Sequence, residues 1–369
     1  MVAALLAFGA APLLAQQRWV DSRYPYITAS ANDFPVFAAR FLWTRRARDY
    51  FSPLPYAGNL SLDVGLSLKG SYFAMAKYHL PGIRDGWRLL AQARATRESR
   101  FGYFGVGNNT RFDDNLITDA QPFLYRVKRE QTAAQVEVSR RIKGPFRVSL
   151  ATGVQRTEFK ELPGPSVFRQ DNPPNLTDTD VTGRLSLMLD TRDNEYNTHR
   201  GLFLETGALA GSGGDGYTRL YANLRGYLPL REGTVVALRL LGAGLGGDPP
   251  LEARFELPMW ENTIEIFGGT QTDRAFDDGR FAGKHVLLGN LEVRHDILNL
   301  ETLGAITAIG FVDAGRVFEG EPFKLTTKDV KWGGGGGIAI RLLRSTIFTF
   351  NLAKGEEGWN FSVGNGWLF

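Results

Sequence analysis

The sequence predicts an all-β fold of one kind, a transmembrane antiparallel β-barrel of about sixteen strands. Three observations predict it. Apolar and polar residues alternate with period two over most of the chain, the alternating runs are about ten to twelve residues long, and the connections between them are short and long by turns. Strands of soluble proteins most often run about five or six residues, whereas about ten alternating residues cross a bilayer. Inside the bilayer every backbone donor must be paired, so the sheet has to close on itself.

Composition narrows the class further. The 369 residues are 43% hydrophobic and 22% charged, too polar for a bundle of membrane helices and long enough for one large barrel. There is no cysteine, which excludes disulfides, thiolate zinc sites and cysteine nucleophiles. The formal charge of +4 is spread singly over alternating runs, with no basic cluster, so nucleic acid is not an expected partner.

Taken in order, the chain opens with an apolar run from Val2 to Ala15. It is too short for the roughly twenty residues of a membrane helix and fits a signal-peptide core with export near Ala15. Residues 16–33 read as a short irregular segment, and 34–369 as the barrel. The first two strands fall somewhere in residues 24–48. Leu60, Leu62, Val64, Leu66 and Leu68 then alternate with Ser61, Asp63, Gly65 and Ser67, and Trp87, Leu89 and Ala91 with Arg88 and Gln92. Phe146, Val148, Leu150 and Val154 oppose Arg147, Ser149 and Gln155; Val181, Leu185, Leu187 and Leu189 oppose Thr182, Arg184, Ser186 and Asp190. The clearest run is 218–228, with Leu220, Leu224 and Leu228 on one face and Arg219, Tyr221, Asn223, Arg225 and Tyr227 on the other.

Short connections lie at residues 80–86, 141–145, 229–233 and 342–345, and long ones at 102–122, 161–180, 268–283 and 316–330. Short periplasmic turns against longer outer loops is the outer-membrane pattern. Counting back from an inward-running last strand puts about five strands after the 268–283 loop and about eleven before it. That loop, GGTQTDRAFDDGRFAG, is expected to be a polar connection folded into the barrel interior. The run Gly333 to Gly337 keeps phase with Trp332, Ile338, Ile340 and Leu342. It reads as a strand whose missing side chains leave room inside the barrel. At the end of the chain Trp359, Phe361, Val363, Trp367 and Phe369 are expected to face lipid, with aromatics at the interfaces.

These residues carry a family resemblance. Asp190-Thr-Arg192-Asp193-Asn194 with Arg200-Gly201 resembles a periplasmic strand–turn–strand motif, and Gly268-Gly269 with Arg274-Ala275-Phe276 a long sixth outer loop. Asn290-Leu-Glu292-Val-Arg294 and Phe311-Val-Asp313-Ala-Gly315 resemble the two strands that follow that loop. Together they resemble the BamA/TamA family of outer-membrane proteins, the bacterial surface antigen family. The match is specific over residues 181–369. It is weaker over 34–180, where strand pattern and the loop Tyr103-Phe-Gly-Val-Gly-Asn-Asn-Thr110 carry it. Ser362, Gly364, Trp367 and Phe369 are similar to the C-terminal recognition signal of bacterial outer-membrane barrels. That signal implies the outer-membrane assembly machinery as a partner during the chain's own insertion.

The resemblance implies residence in the bacterial outer membrane, with outer-membrane lipids including lipopolysaccharide around the barrel. It also implies that Arg274 points into the lumen and pairs with Glu292 and Asp313. The pattern agrees independently. Leu287, Leu291 and Val293 on one face put Glu292 on the other, and Asp313 would cost several kcal/mol against lipid. Two inward acids need a cation, and arginine can bind carboxylates bidentately. The contact serves either as a loop anchor or as a working latch. Two features depart from the family. Ala275 stands where it has glycine, and the roughly twenty residues ahead of the first strands leave no room for the soluble polypeptide-binding (POTRA) domains of its assembly and secretion members.

Other chemistry is absent. Gly242-Ala-Gly-Leu-Gly-Gly247 formally matches a dinucleotide fingerprint but is followed by Asp248-Pro249-Pro250 rather than a helix. The four histidines are scattered, so no metal site and no cofactor are expected. His79 with a wall serine such as Ser67 would make a lipase-like dyad only at the lipid-facing surface, and His79 lies on the polar face; no enzyme is expected. Asp113-Asp114-Asn115 and Asp277-Asp278 read as solvated loops rather than cation sites. Three functions remain. One is an insertion or translocation barrel with client polypeptides. The second is a passive or gated pore, made anion-preferring by Lys77, Arg88, Arg94, Arg147, Arg184, Arg219, Arg225, Arg239 and Arg341. The third is a plugged structural barrel.

Overall fold

The structure is a computed structural model that describes residues 19–30, 33–46, 56–260, 262–300, 304–320, 328–342 and 346–369. The expected signal-peptide core lies outside the described residues. The strands are β1 (Val20–Ser30), β2 (Asp33–Arg46), β3 (Tyr56–Ser67), β4 (Tyr72–Arg84), β5 (Trp87–Gly102), β6 (Arg126–Lys143), β7 (Phe146–Lys160), β8 (Asn175–Asp190) and β9 (Gly201–Gly211). They continue with β10 (Gly216–Arg231), β11 (Thr234–Asp248), β12 (Glu256–Pro258), β13 (Thr263–Glu265), β14 (His285–Asn299), β15 (Gly304–Phe318), β16 (Lys331–Leu342), β17 (Thr346–Gly355) and β18 (Gly358–Asn365).

Sixteen of these form one sheet in which every strand runs antiparallel to its sequence neighbour, from β1 to β18, with β11 passing directly to β14. Only β12 and β13 stand apart, paired with each other. Eleven sheet strands thus precede the long connection and five follow it. One departure is β1, which runs through the segment expected to be irregular. Pro25 and the polar residues on both faces of this run hide its strand signal, because proline is compatible with a strand mainly at an edge or a bulge.

The alternation sorts the faces as expected. Leu62, Leu66, Leu150, Leu187 and Leu220 are 37 to 67% exposed, whereas Asp63, Ser149, Arg184, Arg219 and Asn223 are at most 4% exposed. The outward band is therefore apolar and the polar side chains point inward, which is the solvent arrangement of a barrel in lipid. The inward face is not polar throughout. Beside the long connection Val286, Leu288, Ile309, Ala339 and Ile347 point inward and are buried in one apolar cluster with loop residues.

The long connections gather at one rim. Phe101, Tyr103, Phe159 and Phe255 pack there with Phe168, carried by the short helix α1 (Val167–Asp171), at ring separations of 5.2 to 6.5 Å. Gly107 donates its backbone N–H to the Ala282 carbonyl at 2.8 Å, and Asn108 Oδ1 accepts from the Val317 N–H at 3.1 Å. These loops therefore rest on the connection between β11 and β14.

The end of the chain divides. Trp359, Phe361 and Val363 are exposed on the outward face as expected, but Trp367 and Phe369 are not. β18 ends at Asn365, Gly366 adopts φ +112°, and the chain turns inward. Phe369 is 8% exposed, 6.2 Å from the Tyr227 ring, and Trp367 Nε1 donates to Asn197 Oδ1 at 3.1 Å.

The outward band yields a direct test. Leu240, near the middle of β11 and opposite Leu224 and Gly289, is 48% exposed. Leu240→Arg should lower stability by about 2–4 kcal/mol in urea unfolding from lipid bilayers, the cost of a cation near the midplane. A neutral result would place this face away from lipid.

Candidate functional site

The connection between β11 and β14 covers residues 249–284 and is neither bare nor simply polar. A 3-10 turn (Leu251–Arg254) leads into the β12–β13 hairpin, whose Leu257, Met259 and Ile264 are buried in the apolar cluster. The GGTQTDRAFDDGRFAG stretch follows. Phe267 pairs with Phe281 across its base, and Gly268 and Gly269 take φ of +104° and +87°. A Cβ on Gly268 would meet the Asp277 carbonyl and Arg280, so the turn requires glycine. This reverses the chain and aims residues 270–276 down the barrel.

Arg274 lies at that tip, 2% exposed. Its Nε and Nη2 bind Asp313 at 2.8 and 2.9 Å, and Nη1 binds Glu292 Oε1 at 2.5 Å. The Arg274 backbone N–H also reaches Asp313 at 3.2 Å, and Asn290 Nδ2 donates to the same carboxylate at 2.8 Å. Glu292 takes a second cation, with Arg294 Nε at 2.7 Å. The Arg274 guanidinium lies 3.5 Å from the centroid of the Phe311 ring. Arg274, Glu292 and Asp313 are thus brought together, with the bidentate geometry falling on Asp313. Removing one partner of a buried pair leaves an uncompensated charge, at about 3–5 kcal/mol.

The neighbouring residues fit the tip into the wall. Asp313 lies opposite Gly333 of β16, and a Cβ on Gly333 would collide with the Ala275 methyl. Gly355 faces that methyl too. The glycine strand leaves room inside, and Ala275 occupies it. Asn360 Nδ2 holds the carbonyls of Arg274 and Phe276, each at 3.1 Å. Farther up, Arg280 binds Glu357 at 2.8 and 2.9 Å and Thr110 Oγ1 at 2.7 Å. Asp277 accepts from Arg126 at 3.2 Å, so the Asp277-Asp278 pair is folded against the wall rather than solvated. Asp113 caps a 3-10 turn by accepting from the Asn115 N–H.

A second contact between loop and wall was not anticipated. Glu252 and Glu256 face Arg129 and Gln131 of β6, with Gln131 Nε2 2.6 Å from Glu252 and Arg129 Nη1 3.0 Å from it. Arg94 of β5 binds Glu256 at 2.9 Å. Burial pushes the Glu252 carboxyl well up, so Glu256, held down against its own burial by Arg94 and Arg129, carries the charge. The sequence signal was the alternation Phe255, Leu257, Met259 beside two acids, a strand-like pattern too short to stand out.

The turn motif works at the opposite rim. Arg192 Nε and Nη2 close on Asp190 at 2.9 and 2.8 Å, and Asp193 Oδ1 accepts from the N–H groups of His199 and Arg200 at 3.0 and 3.3 Å. Gly201, at φ +111°, packs against the Thr191 carbonyl where no Cβ fits. The Arg200 side chain is exposed and makes no part of this bracket. The turn reaches across the mouth: Glu195 accepts from Arg88 at 2.9 and 2.6 Å, and Tyr196 meets Tyr56 at 2.8 Å. In the C-terminal set Ser362 and Gly364 sit in β18 opposite Asn351 and Thr349, while Trp367 and Phe369 turn inward against Arg294, 4.2 and 5.4 Å from their ring centroids.

The wall cations behave differently from the pore expectation. Arg88, Arg94, Arg184 and Arg341 are paired with Glu195, Glu256, Glu137 and Asp296. Arg219 is spent on the backbone carbonyls of Glu256 and Ala253. His79 lies opposite Asn59 and bonds Tyr56 at 2.7 Å, eight residues along β3 from Ser67, or roughly 27 Å by strand rise. No dyad forms. Among the described residues no group of His, Asp and Glu is arranged to hold a metal.

Two experiments follow from this packing. Gly333→Ala should cost about 1–3 kcal/mol by overpacking against Ala275, and Ala275→Gly in the same chain should recover most of it in thermal unfolding. A double variant no better than the single one would remove the fit as the cause. The second concerns Asp273, fully buried beside Asp313; burial, then the Asp313 charge, push its carboxyl up to about 8. Because the folded value is raised above the unfolded one, this group's contribution is full below about pH 4 and falls until it is lost above about pH 8. Thermal stability should therefore decline between about pH 4 and 8, and Asp273→Asn should flatten that decline; an unchanged slope would exclude Asp273 as its source.

No curated protein matches the chain. Among solved structures, BamA from Haemophilus ducreyi lacking POTRA domains 1–3 superposes with a TM-score of 0.60 at 14% identity, over 95% of this chain and 70% of that one. CdiB from Escherichia coli gives 0.57 at 11% identity over 95% and 62%, and CdiB from Acinetobacter baumannii 0.52 at 14% over 94% and 65%. The chain therefore spans less than two thirds of either CdiB. At these identities the likeness establishes the barrel fold alone. Residues 57–367 match the model of the Omp85 superfamily domain, and on that match the chain belongs to the Omp85 superfamily.

Proposed function

We propose that this barrel inserts or translocates polypeptides at the outer membrane, without enzymatic chemistry, and that Arg274 is the latch that sets the wall for that work. One observation carries the reading. A single loop arginine closes on acids of two adjacent strands, Glu292 of β14 and Asp313 of β15, so the position of the loop and the shape of that wall are coupled. A passive pore has no use for such coupling, and here the loop tip is buried against the inner wall. Family membership and the BamA and CdiB folds support the same reading. Client polypeptides, lipopolysaccharide and the outer-membrane assembly machinery are its proposed partners.

Deletion of the gene should reduce the outer-membrane content of other barrels or of secreted polypeptides, and the purified chain should show near-zero conductance in planar bilayers. Arg274→Ala should insert but fail to complement, with Arg274→Lys intermediate because lysine lacks the bidentate fork. Unchanged envelope composition after deletion would leave a plugged structural barrel, and a large anion-selective conductance would leave a pore.

A further inference from the structure

Below the loop tip the lumen keeps a cavity of about 450 Å³. Five basic side chains line it, Lys77, Arg192, Arg225, Arg239 and Arg274, against two acids, Glu195 and Glu292. Both acids are committed elsewhere. Glu195 accepts both terminal nitrogens of Arg88, and Glu292 is shared by Arg274 and Arg294. Arg192 is closed on Asp190. The cavity is therefore positive, and its excess charge centres on Arg225 and Arg239.

These two arginines stand directly opposite each other across the β10–β11 ladder. Like charges in that position destabilise a sheet. Arg239, 1% exposed, donates to Asn290 Oδ1 and to the Gln271 carbonyl, each at 2.8 Å. With the Asn223 amide oriented to accept, Arg225 donates to its oxygen at 3.1 and 3.2 Å. All of these acceptors are neutral, and among the described residues neither arginine joins an ion pair. Buried cations are normally paired, so a facing pair without a carboxylate marks a place where the counter-charge comes from outside the chain.

We propose that Arg225 and Arg239 form an oxyanion clamp for the phosphate group of a soluble phosphomonoester. Two planar forks suit a dianion with several acceptor oxygens better than a monoanionic carboxylate. The ligand is soluble because Leu238 and Leu240, flanking Arg239, face the lipid, which directs Arg239 away from any headgroup. The cavity exceeds the volume of the bare ion; Phe203 lies 5.3 Å from the Arg225 guanidinium, and Trp260 also lines the cavity. The organic part of the ligand packs there. This site is independent of the polypeptide-handling role.

The test uses the full chain in detergent with inorganic phosphate as probe and sodium chloride at matched ionic strength as control. Phosphate should raise the melting temperature and broaden the phosphorus-31 resonance, whereas chloride and acetate should do neither. Arg239→Gln should weaken phosphate binding at least tenfold. Arg225→Gln should raise the melting temperature without phosphate by relieving the facing charges, and should abolish the phosphate response. Arg225→Lys, which keeps the charge and loses the fork, serves if the glutamine variants do not fold, and should bind several-fold more weakly. Equal responses to phosphate and chloride, an equal response to acetate, or unweakened binding in these variants would overturn the proposal.

Discussion

Two carboxylates on neighbouring strands, side by side and shut away from solvent, are the constraint from which the rest of this barrel follows. Glu292 and Asp313 are 1% and 0% exposed. Two such groups cannot both be ionised without a cation at hand. Arg294 supplies one to Glu292 from the same strand, but the cation that binds Asp313 comes from the loop. The wall is therefore complete only with the loop inside it. The dependence is mutual, since Arg274 buried without its acids would be an unpaired charge.

The glycine run of β16 belongs to the same constraint. A strand without side chains is poor in packing and in conformational preference, and β16 gains its inward contacts from elsewhere. The Ala275 methyl meets Gly333, and the Phe311 ring and the β17 backbone close over Gly335. The wall beside the loop has given up its own side chains, and the loop replaces them. The space for the Ala275 methyl thus lies on the facing strand.

Strand number, face and the inward acids were legible in the sequence because each rests on local rules, and the family resemblance supplied Arg274 as their cation. Period two sorts faces, about ten residues cross a bilayer, and buried acids need a cation. What was not legible depended on long-range packing. β1 carries a proline and polar residues on both faces, so its pairing with β2 is visible only in the ladder. The hairpin β12–β13 has strands too short for a periodic signal, and its acids find Arg129 and Arg94 more than a hundred residues away. Trp367 and Phe369 keep the alternation of β18 in sequence, but Gly366 breaks its geometry and turns them inward. Arg88 and Arg94 looked like a pore lining because their partners, Glu195 and Glu256, lie on a turn and a loop that local patterns do not place.

Those pairings decide what lumen charge means here. A charge that lines an aqueous bore stays hydrated and acts on passing ions. A charge with a carboxylate at 2.6 to 2.9 Å is a staple, and its field is largely cancelled at the centre of the bore. Arg88, Arg94 and Arg184 tie the periplasmic turn, the hairpin and neighbouring strands together from inside. Facing hydrocarbon outside, the barrel draws little cohesion from burying its outer surface, so interior ion pairs and the folded loop carry much of what a hydrophobic core carries in a soluble protein. Once the staples are assigned, the positive character of the cavity below the loop tip centres on Arg225 and Arg239. Field from so small a group acts on a ligand in contact with it rather than along a channel, and among the described residues these two facing arginines meet only neutral acceptors.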